Sequence, residues 1–484
     1  MSVILFHRFA TNVDKQIEQK NDMKQHLSLI GLLTVFLISF TSCGEDTIID
    51  DPKVGPEESV DKTIKWIEST LREHYLFYED IPSNTDKTLD KEDFFYSLLS
   101  SKDGKTRDGH HYYYSSIKEY TKTKSTSKEP TYGFEFASLE NEDNYFAWVL
   151  YVLPNSPAEE AGLKRGDWIV GIGDGTQNIK DLNSLHTGSA KKISIASYDS
   201  KKGFTLEKTI FLAAARHVEN TPFLCDSTYY KGGQTIGYLM YHHFSRGKDE
   251  TDLDDTTYDT QLIRTMKRFQ EQGVSDFVLD LRYNGGGNLI CAQIMTTMLA
   301  PKTALNQTFC ILEGNDKQKH KTSYYQLSSK DVEETNLNLS RLYVLVSRFS
   351  ASASEAVINS LIPYMGRENI TIIGEQTEGK NVGMQIFGIN EEYGYIISPL
   401  TFRIYNKDHK ADYDNGFVPD VPYNELTLDN PLYPFGHEKD PMLAAAFKRI
   451  TGEKTRTKAT VPTKAATLYK LSFNPHNKGL YIYR

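Results

Sequence analysis

Apolar positions along the chain change rhythm three times, and each rhythm predicts a different kind of element. Ile64, Trp66, Ile67 and Leu71 recur at helical spacing, as do Phe94, Phe95, Leu98 and Leu99, so residues 60–128 read as a small helical region interrupted by the loop "SKDGKTRDGHHYYY". From Thr131 the pattern turns to strands, with "YGFEFASL" and "YFAWVLYVL" flanking the turn "ENEDN". Further on, short unbroken apolar runs alternate with helical patterns. "TIGYLMY" precedes an amphipathic helix through Leu262, Met266 and Phe269. Next come "DFVLDL", an apolar helix over Leu289–Leu299, "RLYVLVS", a helix starting near Ala353, and "ITIIG". Strands without polar alternation require a sheet covered on both faces, which predicts an α/β core.

The 484 residues, 39% of them hydrophobic, suffice for several cored domains. A net charge of −9 argues against general nucleic-acid binding, because phosphate neutralisation needs a dominant basic face. Near the start, "LSLIGLLTVFLISF" (Leu27–Phe40) follows Met23-Lys24 and leads into "TSCGED". Such a run is short for a bilayer span and resembles a bacterial lipoprotein signal, with Cys43 as the lipidated first residue of the mature chain. The acidic residues after Cys43 resemble surface-export signals of some Bacteroidetes lipoproteins. Residues 44–59 read as a tether. With Cys43 lipidated, Cys225, Cys291 and Cys310 cannot all pair, so no disulfide framework is expected.

In "NSPAEEAGLKRGDWIVGIG" (Asn155–Gly173), a Ser-Pro start opens a short helix, Gly162 ends it, and Gly166-Asp167 turns into the strand Trp168–Ile172. This pattern resembles a PDZ domain, placed at 129–216. The resemblance implies that a polypeptide C-terminus adds as a strand, its carboxylate held by backbone amides at Tyr132, Gly133 and Phe134.

The run "SRFSASASEA" (Ser347–Ala356) joins a strand to a helix. Ser352-x-x-Glu355 is a capping box, so the simplest reading is a tight turn capped by Ser352. A helix N-terminus also offers free N–H groups and a positive dipole end to a developing oxyanion, so a serine there is half of an acyl-transfer site. The base would be Lys380, 28 positions on, one helix and one strand later. It could serve only when neutral at pH 7, which requires burial to depress its pKa by about 3 units.

Gly374–Lys380 also fits G-x-x-x-x-G-K, the phosphate-binding loop. However, Asn381 replaces the magnesium-ligating Ser/Thr, and strands follow where that loop needs a helix. His242 and His243 are read as adjacent strand positions facing opposite ways, hence no shared metal, and no metal or cofactor is expected.

Together, "FSASASEA" and "GEQTEGK" resemble the C-terminal processing serine peptidases of family S41 over about 132–424. The resemblance implies a ClpP/crotonase-like α/β core at 222–430 with an inserted PDZ domain, residues 1–43 being leader and 431–484 an extension. It makes Ser352 the nucleophile, Lys380 the base and Gln385 the residue that orients the lysine. The Ala353 amide and the Gly286 amide of "LRYNGGGN" form the oxyanion hole. "RDGHHYYY" resembles the DGHT segment of tricorn-like relatives, some of which use a histidine base, which makes His110 an alternative base. The expected function is a serine endopeptidase of the cell envelope that takes polypeptides by their C-termini, anchored to the membrane by lipid. The alternative is a non-catalytic, PDZ-bearing peptide-binding lipoprotein.

Overall fold

The stripe Ile64, Ile67 and Leu71 forms the buried side of helix α1 (Lys62–His74), which Asp61 caps by accepting the Thr63 N–H at 2.7 Å. This is seen in a computed structural model that describes residues 61–453, apart from 108, 121–129, 142–143, 174–178, 180, 250–251, 253, 329–331, 390–391 and 429, together with 481–483. Cys43, the leader and the tether lie outside the described residues. Helix α2 (Lys91–Ser97) packs Phe94 and Phe95 against α1. The loop expected next contains strands β1 (Lys105–Arg107), β2 (His110–Tyr112) and β3 (Ser116–Glu119), the first two forming a hairpin. Their alternation is too short to stand out as a sequence period.

The second region is an antiparallel sheet in the order β4-β5-β6-β7-β8: β4 (Phe134–Asn141), β5 (Asn144–Val152), β6 (Trp168–Ile172), β7 (Lys191–Asp199) and β8 (Gly203–Leu212). Helix α3 (Pro157–Glu160) is capped by Ser156, as the Ser-Pro start predicts. Among the described residues strand β4 is an edge of this sheet.

The third region begins with β9 (Phe223–Lys231), β10 (Gln234–Tyr241), α4 (Thr257–Glu271), β11 (Asp276–Asp280), α5 (Leu289–Leu299), β12 (Thr308–Glu313) and β13 (Ser323–Gln326). It continues through β14 (Leu342–Val346), α6 (Ala353–Met365), β15 (Ile370–Gly374), β16 (Val382–Ile386), β17 (Tyr395–Ser398), β18 (Leu400–Tyr405) and β19 (Val421–Pro422). Among the described residues, one sheet runs β19-β15-β14-β11-β10-β9, parallel except for β9.

Its central strands β10, β11, β14 and β15 are buried on both faces, as the unbroken apolar runs predict. Leu239, Leu279, Val344 and Ile372 pack into one core with Met266 of α4, Met295 of α5 and Leu361 of α6. Their neighbours Tyr238, Val278, Leu345 and Ile373 pack into another, with Leu443 and Phe447 of helix α7 (Pro441–Thr451) and Trp148 of β5. Thus the segment read as an extension after 430 contributes a helix to the α/β core. The second sheet has the order β13-β12-β18-β16-β20, with β20 (Tyr481–Tyr483) parallel to β16.

Cys291 and Cys310 are buried thiols, and the described cysteines are unpaired with one another. Among the described residues no helix is long and apolar enough to cross a membrane.

Candidate active site

Strand β14 ends at Val346, and the chain turns through Ser347–Ser352 into α6, whose first residue is Ala353. Small side chains are required because this turn is sewn to the one after β11. Ser350 Oγ donates to the Leu281 carbonyl at 2.7 Å, Ser354 Oγ to the Asn284 carbonyl at 2.7 Å, and the Ala351 N–H to the same Asn284 oxygen at 3.1 Å.

At the crest, Ser352 adopts φ 58° and ψ −109°. A non-glycine residue rarely takes this conformation, and strained backbone of this kind collects at functional sites, including serine nucleophile elbows between strand and helix. Ser352 is fully buried at the N-terminus of α6, where the Ala353 N–H has no carbonyl within the helix to bond.

Glu355, also fully buried, organises the surroundings. Its Oε2 accepts the backbone N–H of Ser352 at 2.9 Å and that of Lys380 at 2.8 Å. Its Oε1 accepts Thr377 Oγ1 and the Gly379 N–H, both at 2.6 Å. The capping box read from sequence is therefore half of a larger device, since the same carboxylate holds the loop that carries the lysine. Burial pushes the Glu355 carboxyl up to about 7, against four donors that favour its charged form.

Gly379 has φ +85°, and a Cβ there would lie 2.3 Å from the Asp414 carbonyl oxygen, so only glycine lets the loop pass to Lys380.

Lys380 is 5% exposed. Among the described residues no carboxylate stands within ion-pair distance of its Nζ, which lies instead over the Tyr114 ring, 4.4 Å from the centroid. Burial lowers its pKa to about 8, with Asp103, Glu378 and Glu355 pulling the other way. About one tenth of such an amine is neutral at pH 7, against less than one in a thousand for an ordinary lysine.

Gly286 sits against the serine: a Cβ on it would lie 2.9 Å from Ser352 Cβ and 3.1 Å from the Ala353 nitrogen. Its N–H donates to Asn284 Oδ1 at 2.9 Å, so this amide would have to share or exchange that acceptor to bind an oxyanion. Gln385 stands on β16, on the strand face opposite Val382 and Met384, and the groups acting on Lys380 Nζ are Tyr114, Asp103, Glu378 and Glu355.

His110 is exposed on the β1–β2 hairpin. His242 and His243 depart from the expectation of opposite faces. Strand β10 ends at Tyr241, and beyond the pleat His243 Nδ1 meets His242 Nε2 at 3.1 Å. Among the described residues no cluster of three or more His, Cys, Asp or Glu side chains is arranged to hold a metal ion.

At the expected carboxylate-binding loop, the Tyr132 N–H donates to the His186 carbonyl at 3.2 Å and the Gly133 N–H to Thr131 Oγ1 at 3.0 Å. Phe134 opens the edge strand β4. Two of the three amides are thus engaged within the domain.

Behind the glycine turn, Arg282 is buried among Asp280, Glu425 and Asp440, with contacts of 2.7, 2.7 and 2.9 Å. Arg165, from the segment after α3, joins this group through Glu425 at 2.7 Å and Tyr283 at 2.8 Å. Neither arginine stands out in the hydrophobic pattern, although a charged residue directly after the apolar run "DFVLDL" is a signal that one is buried.

Residues 235–423 match the family model described as peptidase family S41, residues 62–116 the peptidase S41 N-terminal domain, and residues 148–184 a PDZ domain. The fold superposes on a crystal structure assigned to an S41 protease of Bacteroides fragilis with a TM-score of 0.71 and 33% identity, covering 84% of this chain and 100% of that one. A carboxyl-terminal-processing protease of Synechocystis is 24% identical over 308 residues, and one of Picosynechococcus 28% over 312. Each match covers 63% of this chain, and the chain spans about two thirds of each relative, 65% and 67%.

Proposed function

The chain belongs to peptidase family S41, whose carboxyl-terminal processing members are serine-type proteases, and from that premise we propose a serine endopeptidase with Ser352 as nucleophile and Lys380 as general base. The observation that carries this reading is that a strained, buried serine at a helix mouth and a buried lysine without a carboxylate partner among the described residues are both anchored to Glu355.

In the reaction, neutral Lys380 Nζ takes the Ser352 Oγ proton as Oγ attacks the peptide carbonyl. The developing oxyanion is received by the Ala353 N–H and by the Gly286 N–H as it turns from Asn284 Oδ1. The lysine then gives its proton to the leaving amine, and water clears the acyl-enzyme by the same route in reverse. Gln385, on the strand that follows the lysine loop, would orient the lysine.

The polypeptide would be presented by the PDZ region, its C-terminus adding along the β4 edge with its carboxylate at Tyr132, Gly133 and Phe134. Lipid on Cys43 would hold the enzyme at the membrane and confine it to substrates of the cell envelope. Incorporation of labelled fatty acid that is lost in Cys43→Ala tests the anchor.

The central test is hydrolysis of an unfolded polypeptide by the wild type, Ser352→Ala and Lys380→Met. Loss in both variants, with folding retained, supports the dyad; retention in Ser352→Ala overturns it. Retention in Lys380→Met with loss in His110→Ala would transfer the role of base to the exposed histidine.

A further inference from the structure

The base loop is gripped from outside the peptidase core. Three side chains of the N-terminal region converge on Glu378, two residues before Lys380. The Arg107 guanidinium pairs with its carboxylate, the Lys105 ammonium donates to its carbonyl, and Tyr114 Oη donates to Glu378 Oε1 at 2.7 Å. The same Tyr114 presents its ring to Lys380 Nζ.

Tyr114 is itself held rigidly. The fully buried Asp103 accepts its N–H at 2.9 Å, the Ser115 N–H at 3.1 Å, Ser115 Oγ, and Tyr75 Oη at 2.9 Å. Ser115 Oγ in turn accepts the Leu400 N–H of β18 at 2.8 Å, which ties this knot to the sheet containing β16.

We propose that Tyr114 is a positioning residue that closes the chamber of the base, its ring covering the Lys380 amine against water while its hydroxyl pins the loop through Glu378. The inference rests on the reading of Lys380 as base. It makes the N-terminal region part of the working site.

A lysine side chain has four rotatable bonds and a strongly hydrated head, so left uncovered it would swing to solvent and stay charged. A π-face is suited to stopping it, because it attracts the ammonium electrostatically yet offers no acceptor that would keep the proton. The charged groups around Nζ are Asp103 from the N-terminal region, Glu378 on its own loop, with Arg107 opposing it, and Glu355 on α6. All three carboxylates favour the ammonium, and only exclusion of water works against them. The wall that excludes water therefore decides how much amine is free to accept a proton.

The test is the pH dependence of kcat/KM on an unfolded polypeptide for the full chain and for Tyr114→Phe, Tyr114→Ala and Lys380→Met. Tyr114→Ala should admit water and move the acid limb up by a pH unit or more, costing about tenfold or more in rate at pH 7 and much less at pH 9.5. Tyr114→Phe keeps the ring and should keep the wild-type limb.

An unmoved or lowered limb in Tyr114→Ala overturns the proposal, as does a Phe variant whose limb moves as far as that of the Ala variant. Retained activity in Lys380→Met would instead remove the dyad reading, so the two failures are distinguishable. Should Tyr114→Ala not fold, amidination of Lys380 followed by peptide mapping tests the same wall in Tyr114→Leu. At a pH above 10.5, where the amine is largely neutral in every variant, faster modification than in wild type and Tyr114→Phe supports the wall; equal rates overturn it.

Discussion

Ser352 and Lys380 are tied to one oxygen: Glu355 Oε2 accepts both backbone N–H groups, which limits the separation of those two nitrogens to 5.7 Å, the sum of the two contacts. Nucleophile and base thus share a single buried anchor, and their relative placement depends on it.

Replacing that anchor should uncouple them without removing either. In Glu355→Gln one oxygen becomes an NH2 facing two donors, so at least one charge-assisted bond becomes a clash. Such bonds are worth about 1.5–3 kcal/mol each. The expected result is a fall in kcat of about a hundredfold, the kinetic equivalent of about 2.7 kcal/mol, with KM little changed. Steady-state kinetics at saturating substrate would check it, and an unchanged kcat would dismiss the anchor role.

The pH dependence follows from the lysine. The base must be neutral, so kcat/KM should rise through an acid limb near pH 8 and level off above it. For stability the sign runs the same way. The folded pKa lies below the unfolded value, so the cost of burying the ammonium is fully present below pH 8 and is relieved as pH climbs towards the unfolded value near 10.5. Lys380→Met should therefore be inactive yet more stable than wild type at pH 7, by up to about 3 kcal/mol. That gain should vanish by about pH 10.5. Urea melts at the two pH values measure it.

Gly286→Ala should be nearly inactive. The new methyl would press on Ser352 Cβ and the Ala353 nitrogen, in a backbone of φ +112° that L-residues avoid. A rate loss above about a hundredfold is expected, on the scale of losing one oxyanion donor. Binding of a C-terminal peptide to the PDZ region should be unaffected, which isothermal titration can establish.

Arg282→Met should unfold readily. It leaves Asp280, Glu425 and Asp440 facing one another with Arg165, on Glu425, as the cation that remains among the described residues, and breaking a buried ion network in this way costs about 3–5 kcal/mol. Chemical denaturation would read the loss directly, and a change below about 1 kcal/mol would contradict the role of this network in stability.

How much of the molecule is legible in the residues depends on range. The start of α6 at Ala353 and the whole of α5 follow from local signals, namely a capping box and an apolar run between turn residues. The chemistry of Ser352 and Lys380 can be inferred because small residues and glycines flank both. Glu355 is legible only as a cap, since its hold on Gly379 and Lys380 closes across 24 and 25 positions. Tyr114 is silent because its partner Glu378 lies 264 positions away and nothing local distinguishes it from its neighbours in "HHYYY". The histidine pair misleads because the strand period, carried past Tyr241, continues beyond the point where β10 ends.

The match to the peptidase family ends at residue 423, yet two of the three acids around Arg282 come later, Glu425 by two residues and Asp440 from the cap of α7. A polypeptide trimmed to the family boundary would enclose a guanidinium with a single counter-charge of its own sheet, and would also lose the helix that shields one face of that sheet. Expression of the minimal domain should accordingly give insoluble material, whereas stopping after the glycine at 452 should preserve a soluble product.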